Sequence, residues 1–225
     1  MTEVVAHGVL GLIPGLKFPH EVLVQVSDDL SSVTRRMVLP WVAKLQSPQV
    51  LHKTEHGAVV LGIQDANAAT NAIETLMQIG QDLRVECEGV LLQEMIAHEV
   101  QMIVGVRWDA LYGPLLLLGQ GGVEVEAERD VVIRLLPLSV EQIQEAILSL
   151  RMARRLQGSR GRPPIDVRSL AKMVHSVCET YLKRNDLYEL EINPLALSAP
   201  TTFTALDMLL CLAATGVGSC GDQRA

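Results

Sequence analysis

Aromatic residues make up 3% of this 225-residue chain, and 19 basic residues against 26 acidic ones leave a net charge of -7. That balance supplies neither the basic face nor the stacking rings that nucleic-acid binding uses. Long apolar runs are also missing. The longest, 115–118 and 208–217, fall well short of the roughly 20 residues that span a bilayer, and no charged-then-apolar leader opens the chain. A cytoplasmic protein with no nucleic-acid or membrane partner is expected. Cysteine is sparse: Cys87, Cys178, Cys211 and Cys220 are scattered without a Cys-x-x-Cys pair, which argues against a disulfide framework or a thiolate zinc site and predicts reduced, mostly buried thiols. There is no internal repeat and no low-complexity segment. The one basic cluster, 151–168, reads as a solvated face and loop.

What is present is apolar. At 48% hydrophobic, 225 residues can bury a sizeable core, as one domain or two small lobes. Residues 1–19 read as a lead-in. Strand-like runs at 21–26 and 40–45 flank a short amphipathic segment starting near Asp28, with Leu30, Val33 and Met37 at helical spacing. A further run covers 59–63. Asp65 can cap a helix with the apolar stripe Ala69, Ile73, Leu76 and Ile79, and Gly80 supplies its stop. With a strand at 90–93, these elements predict a first α/β lobe over 20–93.

The pattern then changes to longer strands, predicting a second lobe over 94–215. Val100, Met102, Val104 and Val106 alternate, and 114–118 is a continuous buried-strand run. Ser139 with Gln142 forms a capping box for a helix of about three turns, and Asp166 caps another carrying Val167, Leu170, Val174, Val177 and Tyr181. A turn-rich connector, 158–164, lies between them. Residues 216–225 form a Gly-rich tail. Its Gly216-x-Gly218-x-x-Gly221 mimics a dinucleotide fingerprint, but too few residues follow for the helix that would bind a pyrophosphate.

Residues 189–194, Glu-Leu-Glu-Ile-Asn-Pro, carry the strongest chemical signal. A strand's two-residue period places Glu189, Glu191 and Asn193 on one face, and three hard oxygen ligands on one face suit Mg²⁺. The plain alternative is a half-exposed strand with a polar face, which Pro194 would terminate. Lys44, at the end of an apolar strand, either reaches a nucleotide phosphate or snorkels to water. The polar segment 47–59 reads as a phosphate-handling loop. Zinc binding by His52, Glu55 and His56 would need a helical turn that Pro48 and Gly57 disfavour. In Gly119-Gln120-Gly121-Gly122, a glycine turn can aim backbone N–H groups at an anion. Glu126, Asp130 and Arg134 follow at four-residue spacing, compatible with either a helix face or a strand face.

Seven elements stand in register over almost the whole chain: Lys44; Ser-Pro-x-x-x-His-Lys-Thr-Glu at 47–55; Val-Leu-Leu-Gln-Glu-Met at 90–95; Val-Gly-Val-Arg-Trp-Asp-x-x-Tyr-Gly-Pro at 104–114; Gly-x-Gly-Gly-x-x-x-Glu at 119–126; Arg-Leu-x-Pro-Leu at 134–138; and Glu-Ile-Asn-Pro-Leu at 191–195. Together they resemble the ATP-grasp domain of ADP-forming acyl-CoA synthetases, acetate-CoA ligases among them, relatives of the succinyl-CoA synthetase β subunit. The resemblance implies an α/β (α+β) ATP-grasp fold, two α/β lobes with a nucleotide cleft between them.

It further implies ATP/ADP and Mg²⁺ as ligands and a CoA-binding α subunit or domain as partner, in a hetero-oligomer. By motif, Lys44 is the phosphate-contacting lysine and His52 the histidine that carries phosphate. Lys53, Gln93, Glu94, Met95, Glu99, Gly121 and Gly122 would contact nucleotide, Gln93 to Met95 as a hinge against which adenine lies. Glu191, Asn193 and Asp207 would hold the metal. Three positions depart from the family pattern: Gly57-Ala58 stands where paired glycines are usual, Tyr112 where Phe is usual, and Leu209 where a basic residue is expected. The departures near Ala58 and Leu209 keep open a non-catalytic nucleotide-binding regulatory or assembly subunit. A third alternative, a carboxylate–amine ligase of the same fold, would not need His52.

Overall fold

The computed structural model describes residues 3–50, 53–98, 100–122, 130–158 and 163–213. His52, Glu99, Glu126, Cys220 and the tail 216–225 lie outside them. The chain forms two compact units, one of residues 1–4 and 19–96, the other of residues 5–18 and 97–225. The change between units thus falls at 96/97. Residues 5–18, read from sequence as a lead-in, group with the second unit, because β1 (Leu16–Lys17) pairs in parallel with β10 (Thr202–Ala205).

In the first unit an antiparallel sheet runs in the order β2 (Glu21–Val24), β5 (Gly89–Glu94), β3 (Trp41–Gln46), β4 (Val59–Ile63). Short α2 (Leu30–Val33) starts at Asp29, whose side chain accepts the Ser31 N–H. Helix α3 (Ala66–Asp82) begins where Asp65 accepts the Ala68 N–H, and it buries Ala69, Ala72, Ile73 and Leu76 in a core with Ala43, Leu45, Val90 and Leu92. The helix does not stop at Gly80 as its sequence suggests. It runs on to Asp82 and closes with Arg84 in the left-handed region (φ 55), Val85 N donating to Gly80 O and Arg84 N to Gln81 O. Gly80 serves packing instead. A Cβ there would collide with Cys87 Sγ and press on Leu45.

The second unit is built on a sheet that has, among the described residues, seven strands. The order is β1, β10, β9 (Leu187–Ala199), β6 (Val100–Asp109), β7 (Gly113–Gln120), β8 (Val131–Leu135), with β11 (Met208–Leu212) also pairing β9. Helix α1 (Glu3–Leu10) precedes β1. On the helix side lie α4 (Val140–Ser149), short α5 (Ala153–Leu156) and α6 (Val167–Leu182). Both halves of the Ser139–Gln142 capping box form, and Asp166 caps α6 through the Ser169 N–H. Met102, Val104, Val106, Leu116, Leu118, Leu190 and Ile192 are buried on one sheet face, with Ile143, Ile147, Val174, Val177 and Tyr181 from the helices also buried. The β6–β7 turn is held by Asp109 Oδ1, which accepts the Leu111 and Tyr112 N–H groups.

One alternative left open by the sequence is decided for the described residues, and one expectation changes. Residues 131–135 are a strand, so Arg134 projects from β8, while Asp130 turns inward and accepts the Arg151 and Met152 N–H groups at 2.9 and 2.7 Å. Pro194 does not terminate its strand, because β9 continues to Ala199. Its missing N–H falls where partners change: β11 pairs as far as Ile192, β10 takes over from Leu195, and the register with β6 shifts between Met102 and Val104.

Candidate functional site

The face of the second sheet away from the helices carries the acidic residues. Register places Glu191 beside Gly105 of β6 and Leu209 of β11, and Glu189 beside Arg107 and Cys211. Gly105 lies next to the carboxylate: a Cβ there would be in ordinary van der Waals contact with Glu191 Oε2 at 3.9 Å and Leu117 Cβ at 3.7 Å. In the sequence Gly105 stands only as one letter of a motif, and its place beside the carboxylate emerges from cross-strand register.

Asn193 is the centre of the group. Its Nδ2 donates to Glu191 Oε1 at 3.3 Å, its Oδ1 accepts the Gly122 N–H at 3.3 Å, and its backbone N–H donates to Asp207 O at 3.0 Å. Asp207 Oδ1 accepts the next N–H, of Met208, at 2.8 Å. The structure thus brings Glu191, Asn193, Asp207 and Gly122 together, with Glu189 further along the same face. The field there is negative: burial first, then the Glu189 and Glu191 carboxylates, push the Cys211 thiol above its usual range. Among the described residues no three His, Cys, Asp or Glu side chains form a metal-binding cluster. Two carboxylates and an amide oxygen are nonetheless a donor set that suits Mg²⁺, which binds through one or two carboxylates and keeps several waters.

The glycine turn is used differently from the sequence expectation. Gly121 N–H donates to Gln101 O at 3.0 Å and Gly122 N–H to Asn193, so both are engaged within the unit. Glycine is required for closeness. A Cβ on Gly121 would come within 2.5 Å of the Met102 backbone, and Gly122 has φ +83 with a Cβ position that meets Gln101 Oε1.

In the first unit Lys44 is 5% exposed and stands between Leu91 and Val59, on the sheet face opposite the α3 core. Gln93, 3% exposed, lies on that same face and donates through Nε2 to Glu21 Oε2 at 2.8 Å. Glu94 acts locally: its Oε1 accepts the Val38 N–H at 2.7 Å and lies 3.5 Å from His20 Nδ1. Met95 is exposed, and its N–H donates to Pro40 O. Buried Lys53 offers its carbonyl to the His56 and Ala58 N–H groups. Of the departures from the family pattern, Gly57 has φ +64, whereas Ala58 is fully buried in the core. Only the first of the two positions therefore requires glycine. Tyr112 is exposed and makes its turn contact through its backbone.

A family model described as an ATP-grasp domain matches residues 1–212. This chain belongs to the ATP-grasp family. The ATP-grasp chain is 29% identical over 183 residues to the β subunit of an ADP-forming acetate–CoA ligase I from Pyrococcus furiosus, covering 80% of this chain and 79% of that one. It is 28% identical over 182 residues to an ADP-forming 4-hydroxybutyrate–CoA ligase from Nitrosopumilus maritimus, covering 80% of this chain. It spans only 26% of that relative's length and 24% of an ADP-forming acetate–CoA ligase I from Archaeoglobus fulgidus. Among solved structures it is similar to a dinucleotide-forming acetyl-coenzyme A synthetase 1 from Candidatus Korarchaeum cryptofilum in complex with coenzyme A, Ca-AMPCP and HgCl⁺. There the TM-score is 0.81 and the identity 25%, over 94% of this chain and 92% of that one. This ATP-grasp chain therefore has the α+β fold its motifs implied, and its relatives include both separate β subunits and much longer single chains. No helix among the described residues is long and apolar enough to cross a membrane.

Proposed function

We propose that this ATP-grasp chain is the nucleotide-handling subunit or domain of an ADP-forming acid–CoA ligase. It binds Mg-ATP and passes a phosphoryl group through a histidine while acid, CoA and ATP interconvert with acyl-CoA, ADP and phosphate. A CoA-binding α subunit or domain completes the reaction in a cytoplasmic hetero-oligomer. The observation that carries this reading is the Glu191–Asn193–Gly122 hydrogen-bonded group beside Asp207, an oxygen-rich end of a sheet in an ATP-grasp chain.

Glu191, Asn193 and Asp207 would hold Mg²⁺, which, when bound, neutralises charge on the nucleotide phosphates. The protein's own part is placement and charge. Lys44, on an apolar strand, offers its ammonium to phosphate oxygens that gain charge during transfer. Gln93 and the backbone through Met95 orient the base, with Glu99 and Lys53 as further contacts. His52 accepts the phosphoryl group: its neutral imidazole nitrogen forms the N–P bond as the bond to the ADP oxygen breaks, and Lys53 beside it offsets the incoming negative charge.

The test uses γ-labelled ATP, Mg²⁺ and the CoA-binding partner. Acid-labile label on the wild type, absent in His52→Ala, is the expected result, and a fully active His52→Ala protein would end the relay. Acyl-CoA formation by this chain alone would overturn the need for a partner. A specific observation keeps one other reading in play, that of a nucleotide-binding subunit without turnover. Leu209, where the family pattern has a basic residue, pairs with Glu191. Nucleotide binding with no label transfer in the complete complex would select it.

A further inference from the structure

The glycine turn and Asn193 belong to a longer line of contacts within the second unit. His98 and Gln101 pair through ring Nε2 and amide Nε2. Gln101 then meets the turn twice: its carbonyl accepts the Gly121 N–H at 3.0 Å, and its side-chain Oε1 lies where a Cβ of Gly122 would be. Gly122 N–H passes to Asn193 Oδ1 at 3.3 Å, and Asn193 Nδ2 to Glu191 Oε1 at 3.3 Å. The links at the two ends are polar side-chain contacts, and the middle one joins Gln101 to the turn by its backbone bond to Gly121 and by the closeness of its side chain to Gly122.

The chemistry gives this line a direction. An amide has one oxygen and one NH₂ end, and exchanging the ends of Asn193 would set its NH₂ against the Gly122 N–H and its oxygen against the Glu191 carboxylate. Gly122 therefore fixes which atom of Asn193 faces which way. That in turn holds one oxygen of Glu191. Gly122 can do so only while its own backbone stays in place, and the side chain beside that backbone is Gln101, anchored at its far end by His98.

We infer that Gln101 is a positioning residue for the metal end of the site, acting through Gly121–Gly122 on Asn193 and Glu191, with His98 as its anchor. This rests on the reading of Glu191, Asn193 and Asp207 as metal-holding groups. Gln101 touches neither Glu191 nor any reacting atom in this arrangement. Outer groups that orient metal ligands change metal affinity about 10- to 100-fold when removed. A side chain that only packs would change stability and leave metal affinity where it was.

The test is titration of the full-length chain with Mn²⁺ in the presence of ADP, followed by electron paramagnetic resonance, with thermal unfolding measured alongside. Gln101→Met keeps the stem and removes the amide. It should weaken Mn²⁺ binding about tenfold with little change in melting temperature. His98→Ala, which leaves Gln101 in place without its anchor, should weaken it in the same direction and serves if Gln101→Met folds poorly. Because the contacts form one line, Gln101→Met should cost much less in an Asn193→Ala background than in the wild type. Wild-type Mn²⁺ affinity in both Gln101→Met and His98→Ala, or additive losses with Asn193→Ala, would overturn the positioning role alone. No Mn²⁺ binding by the wild-type chain with ADP would overturn both this role and the metal assignment beneath it.

Discussion

Leu209 stands directly opposite Glu191 in the antiparallel pairing of β11 with β9, an aliphatic side chain beside the proposed metal carboxylate. The position is half-buried, so a longer polar side chain has room to reach solvent or phosphate. In the complete complex, Leu209→Arg should lower the KM for nucleotide roughly three- to tenfold. A charge-assisted hydrogen bond contributes about 1.5–3 kcal/mol before the cost of ordering the side chain. An unchanged or higher KM in steady-state assays would show that this site works without a cation there.

Lys44 separates binding from stability. Its stem is buried between Leu91 and Val59, so Lys44→Met preserves most of the packing while removing the ammonium. ADP affinity by calorimetry should fall at least tenfold, about 1.4 kcal/mol, with a melting temperature close to that of the wild type. Equal affinity in the two proteins would refute the phosphate contact.

Cys178 predicts a pH dependence. It lies buried on α6, and burial pushes its thiol up to about 12 from an ordinary 9.0. The folded chain keeps the proton after the unfolded chain has lost it, so this stabilisation is whole below pH 9 and is lost as pH rises from 9 toward 12. The full loss is about 4 kcal/mol, because each tenfold difference in proton affinity between the folded and unfolded thiol is worth about 1.36 kcal/mol. Urea unfolding of wild type and Cys178→Ala at pH 8 and pH 10 should show the wild type losing about 1 kcal/mol more over that interval. Parallel losses would place the alkaline sensitivity elsewhere.

Gly80 and Cys87 should behave as a pair. Gly80→Ala puts a methyl group against Cys87 Sγ, and overpacking of this kind costs about 1–3 kcal/mol. Cys87 is only partly buried, so Cys87→Ala should cost little alone and should restore most of the stability of Gly80→Ala. Additive effects in denaturant titrations would mean that the helix, rather than the contact, carries the cost.

What could be read from the sequence was local. Asp65, Asp166 and the Ser139–Gln142 box announce their helices because capping is a matter of three or four neighbouring residues. The shared face of Glu191 and Asn193 follows from strand periodicity alone, and their side chains do meet. What could not be read depends on partners far along the chain. Pro194 looks like a strand terminator until β10 and β11 are seen to divide β9 between them. Gly80 looks like a helix stop until Cys87 is seen against it. The glycines at 121 and 122 look like an anion cradle because nothing nearby in sequence reveals that Gln101 and Asn193 take their N–H groups.

The parallel pairing of Leu16 with Phe203 and Lys17 with Thr204 makes residues 19–96 an insertion within the second unit, whose sheet closes only once β10 has been made. During synthesis the inserted lobe can fold as it emerges, while the segment holding β1 waits for β10. Such a distant closure is entropically slow. A clone trimmed to begin at residue 97 would leave the outer edge of β10 uncovered and prone to pairing with other chains. Expression boundaries for the second lobe therefore need residues from both ends, joined by a short linker in place of the inserted unit.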